Sequence, residues 1–202
     1  MQGTSEILEQ AIEQLAKLPG TGRKSARRIA LFLLKQNEES VAKLSEALIN
    51  LKRSITRCDS CGVISDNDPC AICDNPKRHN GAICVVEESQ DVFLIEKTNE
   101  FRGTYHVLGG VISPLDNIGP DDVRVKELMQ RVNDEDEQIN EVILALNPDS
   151  EGEATSYYIN KLLKPFENIN VTRIAYGIPM GTELEFIDEA TLSRAFTTRS
   201  TF

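Results

Sequence analysis

Cys58, Cys61, Cys70 and Cys73 stand within sixteen residues, in the pattern C-x2-C-x8-C-x2-C. Each C-x2-C pair bends into a knuckle that offers two thiolates to one ion. Four thiolates at about 2.3 Å in a tetrahedron are what a structural zinc takes. The same residues could instead close two disulfides. Residues 1–10 carry no apolar stretch of a secretory leader, and no apolar run approaches the roughly 18 residues of a membrane span. Both observations lead to the expectation of a cytosolic chain with reduced thiols, where metal is favoured over disulfide. The fifth cysteine, Cys84, lies in Ile83-Cys-Val-Val86 and reads as a small core residue of a buried strand.

The cluster divides the chain by charge as well as by pattern. The whole carries −10 over 202 residues, which at first argues against a polyanionic partner. Residues 1–57, however, hold ten Lys and Arg against six Asp and Glu, a net +4, so the remainder carries −14. Leu18 to Lys35 has five basic residues and no acidic one. Any contact with nucleic acid therefore belongs to the N-terminal quarter.

That quarter reads as helices. Ser5 to Lys17 has apolar residues at Ile7, Leu8, Ala11, Ile12, Leu15 and Ala16, a helical stripe with Ser5 as its cap. Leu18-Pro19-Gly20-Thr21-Gly22 breaks the stripe. A second helix is expected from Arg23 to about Gln36, with Ala26, Ile29, Ala30, Leu33 and Leu34 inward, and a third from about Val41 to Ile55. Helix, L-P-G-x-G, basic helix is similar to a helix-hairpin-helix DNA-binding motif. Gly20 and Gly22 would let the turn take positive φ and bring backbone close to a phosphate. The start of the second helix would meet that phosphate, with Arg23, Lys24, Arg27 and Arg28 supplying charge. Such contacts position a duplex without reading its sequence. The plainer alternative is a helical hairpin with a solvated basic face.

After the cysteines, apolar strands alternate with helical stretches. Strands are expected at Ala82–Val86, Thr104–Leu108, Glu141–Leu146 and Asn170–Ala175. Helices are expected at Asp91–Thr98, from Asp121 or Asp122 to Val132, and at Gly152–Leu163, with a short last one at 189–196. Such alternation indicates a parallel sheet whose ligands gather at the strand C-termini. That edge carries Glu87 after the first strand, and Asn147-Pro-Asp149-Ser-Glu151-Gly-Glu153 after the third. The set is similar to the acids of a toprim domain, a Glu followed by Asp-x-Asp-x-Glu, which hold Mg²⁺. Glu87, Asp149 and Glu151 match, and Asn147 replaces the first Asp. Losing that carboxylate weakens any Mg²⁺ site, and Glu151 and Glu153 also have the simpler role of helix-start charges. His79 reads as a surface residue and His106 as a structural one within its strand; no Ser-His-Asp or Cys-His set is visible.

Taken together, these stretches resemble the RecR family of bacterial recombination mediators over essentially the whole chain. Leu18-Pro-Gly-Thr-Gly-Arg-Lys-Ser-Ala-Arg-Arg-Ile-Ala30, the cysteine cluster and Tyr105-His-Val-Leu-Gly-Gly-Val-Ile-Ser-Pro-Leu-Asp116 carry the resemblance. Asn147-Pro-Asp-Ser-Glu-Gly-Glu-Ala154 and Leu192-Ser-Arg194 add to it. It extends to Asn147, because the family's toprim acid set is degenerate. The resemblance implies a multidomain α plus α/β protein. Its parts would be a helix-hairpin-helix DNA-binding domain over 1–55 and a four-cysteine zinc finger over 56–78. A toprim domain, a Rossmannoid parallel sheet, would follow over 79–177, then a C-terminal oligomerisation segment over 178–202. It implies a bacterial cytoplasmic protein that is not an enzyme. Such a protein would form a ring-like homotetramer on single- or double-stranded DNA and work with RecO and RecF to load RecA in DNA repair. Gly20, Gly22, Arg23, Lys24, Arg27 and Arg28 would meet DNA. Glu87 and its neighbouring acids would face RecO or the ring interior.

A Mg²⁺-dependent toprim nuclease or topoisomerase-like enzyme is the alternative, and it needs the complete acid set that Asn147 interrupts. The cysteine site would be closed and structural, with no open position for substrate. Its surroundings are too small for a core of their own, so zinc would supply folding energy. The cluster would then act as a hinge block between the hairpin and an α/β unit able to stay folded without it.

Overall fold

The computed structural model describes residues 5–199; the ends of the expected first and last segments, 1–4 and 200–202, lie outside the described residues. The chain divides into two compact units, residues 1–55 and 56–202.

The first unit is helical. α1 spans Glu6–Leu15 and α2 spans Arg23–Leu34. Their apolar stripes meet: Ile12 is fully buried against Ala26 and Ala30, with Leu8 and Leu15 alongside. Two alanines four apart on α2 leave room for the helices to approach closely, which places Ile12 between them. The inward set on α2 is narrower than the pattern suggested, because Leu34 is 74% exposed. Ser5 takes the N-cap position without its hydroxyl bonding an amide. α3, Glu38–Ser54, starts three residues earlier than expected because the Asn37 side chain accepts from the Ser40 amide at 2.8 Å.

The second unit is built on a parallel sheet in the order β4-β3-β5-β6, with β3 Ala82–Val86, β4 Thr104–Val107, β5 Glu141–Leu144 and β6 Asn170–Arg173. A short antiparallel pair, β1 Thr56–Arg57 and β2 Ile64–Ser65, precedes it and flanks the first cysteine knuckle. The connecting helices are α4 Ser89–Thr98, α5 Val125–Val132 and α6 Ser150–Leu163, and α7 Glu189–Thr197 follows the sheet. α5 begins later than the acidic pair Asp121-Asp122 suggested, since residues 121–124 form a turn.

Side chains alternate between the two sheet faces. On one face Ile83, Val85, Val142 and Leu144 pack with Leu128, Ile159 and Leu163 of α5 and α6. On the other, Cys84, Val86, Tyr105 and Val107 pack with Val92 of α4 and with Cys58, Cys61, Val63 and Cys70. The cysteine stretch thus shares the core of the sheet. This corrects the expectation of a hinge block beside a self-sufficient α/β unit: with little apolar content of its own, the stretch completes the sheet's second face.

Strand order reverses between β3 and β5. β3 passes to β4 on one side, and the chain then returns to place β5 on the other. That switch point lies at the C-terminal ends of β3 and β5, where sheets of this kind gather their ligands and where Glu87 and Asn147 emerge.

Candidate nucleic-acid interface and metal centre

The hairpin turn is fixed by one hydrogen bond and one dihedral. The Thr21 amide donates to the Leu18 carbonyl at 3.0 Å, and Gly20 has φ +74°. With Pro19 before it, this is a type II turn, whose third position requires positive φ. Gly22 does not share that need: its φ is −75°, ordinary extended backbone, and it serves as N-cap of α2. Its part is to leave space, since nothing lies within 4 Å of where a Cβ would stand. No side chain caps α2, so its first-turn amides stay available, which favours an anion there.

Arg23, Lys24, Arg27 and Arg28 all lie exposed on α2 around this helix start. They are not equivalent. Glu9 of α1 pairs with Arg23 at 2.7 Å and with Arg27 at 3.5 Å. Lys24 and Arg28 have no ion pair among the described residues. Lys24, Ser25, Arg27, Arg28 and Leu31 line a depression of about 330 Å³. Glu9 is a residue the sequence pattern did not single out: fourteen positions separate it from Arg23, and only helix pairing brings them together. Exposed pairs of this kind contribute little stability, so a phosphate can replace the Glu9 carboxylate at small cost.

The four cysteine Sγ atoms all lie within 4.8 Å of one another. Tetrahedral zinc–thiolate bonds of about 2.3 Å place sulfurs about 3.8 Å apart, and Cys61 and Cys70 Sγ are 3.6 Å apart. All four thiols are free. Cys58, Cys61 and Cys70 are buried and Cys73 is half-buried. The first knuckle is held by Cys58 and Val63 through the Cys58 amide, and by the Val107 amide donating to the Cys61 carbonyl at 2.7 Å. Gly62 takes φ +79° and passes so near Val107 that a Cβ would stand 2.9 Å from its carbonyl oxygen. Hydrogen bonding from Cys73 chiefly holds the Cys61 thiol down to about 6, while burial leads in pushing Cys70 up to about 11. Cys73 is pushed up, first by its hydrogen bond to Cys61. The four cannot all ionise alone at neutral pH, and a bound dication removes that conflict. The donor set fits zinc.

The acids at the sheet edge are each engaged separately. Asn147 Nδ2 donates to Glu87 Oε2 at 2.7 Å. Asp149 caps α6, its Oδ1 accepting from the Gly152 amide at 2.8 Å. Glu151 accepts from the Ser113 hydroxyl at 2.6 Å, which ties the loop after β4 to α6. Burial foremost pushes the Glu87 carboxyl up, Asp149 adds to this, and the Asn147 amide opposes it. Among the described residues, the cysteines are the one group of three or more His, Cys, Asp and Glu whose ligand atoms converge. Glu153, read from sequence as a helix-start charge, accepts from Arg173 at 3.3 Å and from Arg194 of α7 at 3.0 Å. Both guanidinium groups also lie over the Tyr176 ring, at 4.9 and 5.1 Å from its centroid.

His79 is exposed, with Nε2 2.8 Å from the Cys73 carbonyl oxygen. His106 is fully buried and its Nε2 donates to the Arg124 carbonyl at 2.7 Å. Cys84 is buried beneath the cysteine cluster, and burial pushes its thiol up to about 12.

Three family descriptions match successive parts of the chain: "RecR, helix-hairpin-helix" over residues 8–52, "Toprim domain" over 81–175 and "RecR, C-terminal" over 177–200. Similar proteins include the "Recombination protein RecR" of Chloroherpeton thalassium, 52% identical over 204 residues, and that of Chlorobaculum parvum, 53% identical over 203 residues. That of Chlorobaculum tepidum is 54% identical over 203 residues. Each alignment covers 99% of this chain and 99% of the relative.

Proposed function

We propose that this chain, which belongs to the RecR family, is a DNA-binding recombination mediator of the bacterial cytoplasm and not an enzyme. It binds single- and double-stranded DNA without sequence preference, through the amides near Gly20 and Gly22 and the cations Arg23, Lys24, Arg27 and Arg28. It acts with RecO and RecF in DNA repair to promote loading of RecA, as a ring-shaped homotetramer whose C-terminal segment takes part in assembly. Zinc at Cys58, Cys61, Cys70 and Cys73 is structural. Glu87, Asp149 and Glu151 face a protein partner or the ring interior and bind Mg²⁺ weakly if at all.

The observation that carries this reading is the hairpin: a type II turn feeding an uncapped helix start surrounded by four exposed cations. One hairpin offers about three phosphate contacts, so four offer about a dozen. Logarithmic affinity would then fall with logarithmic salt at a slope near −0.9 per contact for duplex. Effective concentration within a ring makes weak single sites usable.

Fluorescence anisotropy of labelled DNA across a salt series tests this. The double variant Arg27→Glu, Arg28→Glu should lose binding at low salt while keeping its helicity. Unchanged binding would remove the hairpin from the interface. The toprim match supports a competing reading, a Mg²⁺-dependent nuclease; DNA cleavage that is lost in Glu87→Gln would establish it instead. The pairing of Asn147 with Glu87 speaks against that outcome.

A further inference from the structure

Arg131 is a buried arginine, 8% exposed, on α5. Neither the hairpin nor the acid edge uses it. Its Nη1 donates to the Tyr105 carbonyl at 2.6 Å, and its Nη2 to Thr104 Oγ1 at 3.3 Å. Its Nε and Nη2 both reach the Glu137 carboxylate, at 2.9 and 2.8 Å. Each of its three nitrogens thus donates to oxygen, filling four of its five N–H directions, and among the described residues it makes no hydrogen bond to sulfur. Yet Arg131 shares a cavity with the metal centre: Arg131, Glu137, Thr104, His79 and Cys73 all line one cavity of about 230 Å³. Cys73 is the least buried of the four cysteines.

A tetrathiolate zinc carries a net negative charge of about two, and burying charge without compensation is costly. Of the residues lining that cavity, Arg131 is the one arginine or lysine. Burial works against its charged form, while Glu137 and then the Cys73 and Cys61 thiolates favour it, with a net upward effect.

We propose that Arg131 is the charge partner of the cysteine metal centre, holding a fixed positive charge beside Cys73 that retains the metal without ligating it. Glu137 fixes the guanidinium in place and, in doing so, draws off part of its field. The inference rests on the zinc reading above and deepens it.

The two partners of this ion pair therefore have opposite effects. Arg131→Met removes the compensating charge, while Glu137→Gln leaves the whole of it to the thiolates. If Arg131 were only a brace between α5 and β4, breaking the pair from either end would loosen the centre alike. The test is zinc transfer from purified full-length protein to a chromophoric chelator. Its companion readout is the thiolate-to-metal absorption band of the cobalt-substituted protein. Zinc content of the parent protein is measured first.

With one zinc per chain in the parent, Arg131→Met should release it about 10- to 100-fold faster, the usual effect of removing a group that supports metal ligands. Glu137→Gln should release it no faster than the parent, and Arg131→Lys should stay within a few-fold of it. Where Arg131→Met does not fold, the lysine and glutamine variants decide. Equal acceleration in Arg131→Met and Glu137→Gln, or none in Arg131→Met, overturns the proposal. So does acceleration of Arg131→Lys together with Glu137→Gln. A parent chain that binds no zinc overturns the zinc reading itself, a distinct result.

Discussion

Asn147→Asp probes the sheet edge most directly, because it restores the carboxylate that active toprim enzymes carry. Asn147 Nδ2 lies 2.7 Å from Glu87 Oε2. The substitution replaces a donor to a carboxylate with a second carboxylate. Two unit charges 4 Å apart repel by about 1 kcal/mol in bulk water and about 4 kcal/mol at an effective dielectric near 20. Asn147 is exposed and Glu87 half-buried, so the lower part of that range applies. Adding the lost hydrogen bond gives about 2 kcal/mol, or a fall of about 4–8 °C in the melting temperature of the 56–202 unit at pH 7.

The sign with pH follows from Glu87, whose carboxyl is already pushed up by burial. A second carboxylate pushes it further, so the protonated form is favoured in the fold. The variant's deficit should vanish below about pH 4.5 and grow as pH rises through the raised folded value. A dication between the carboxylates relieves the repulsion, so millimolar Mg²⁺ should restore part of the loss in the variant and change the parent little. Calorimetry at pH 4.5 and 7, with EDTA or Mg²⁺, reads all four conditions. A variant as stable as the parent at pH 7 in EDTA, or one with the same deficit at both pH values, would refute the reasoning.

Two further outcomes follow from the packing. Stripping metal with a strong chelator should deprotect the amides of residues 84–86 and 105–107 in hydrogen exchange while α1 and α2 stay protected, since Cys58, Cys61 and Cys70 share a core with Cys84, Val86, Tyr105 and Val107; unchanged protection in those strands would show the cysteine stretch to be separable after all. His106 is pulled down from 6.5 to about 3, mainly by burial. Its contribution is therefore present above about pH 6.5 and is lost as pH falls towards 3, an order of magnitude bounded by about 5 kcal/mol. Urea unfolding of His106→Gln should show a shallower dependence over that window, and an unchanged slope would place the acid sensitivity elsewhere.

The sequence by itself determined what depends on neighbours close along the chain. Spacing of two residues within each cysteine pair made the knuckles legible. Leu18-Pro-Gly-Thr-Gly22 marked the turn between the first two helices, and apolar runs and the 3.6-residue period located the strands and long helices within a few residues. Local chemistry settles such features, so they survive without knowledge of the fold. It erred at ends set by a single bond or turn, as with Asn37 capping α3 and the turn before α5, and also on Gly22, which needs no positive φ, on Leu34, which is exposed, and on the cysteine stretch as a separate block.

Only the tertiary structure decided the relations across distance. It paired Glu9 with Arg23 and Arg27, set Asn147 on Glu87 sixty residues away, and tied Ser113 to Glu151. It merged the cysteine stretch with the second face of the sheet and set Arg131 of α5 and Cys73 on the wall of one cavity. None of these pairs has a fixed sequence spacing, because each depends on helix packing or on the order in which parallel strands join. Burial then set their energetics: an arginine that would be unremarkable on a surface helix becomes, at 8% exposure, a charge that must be matched.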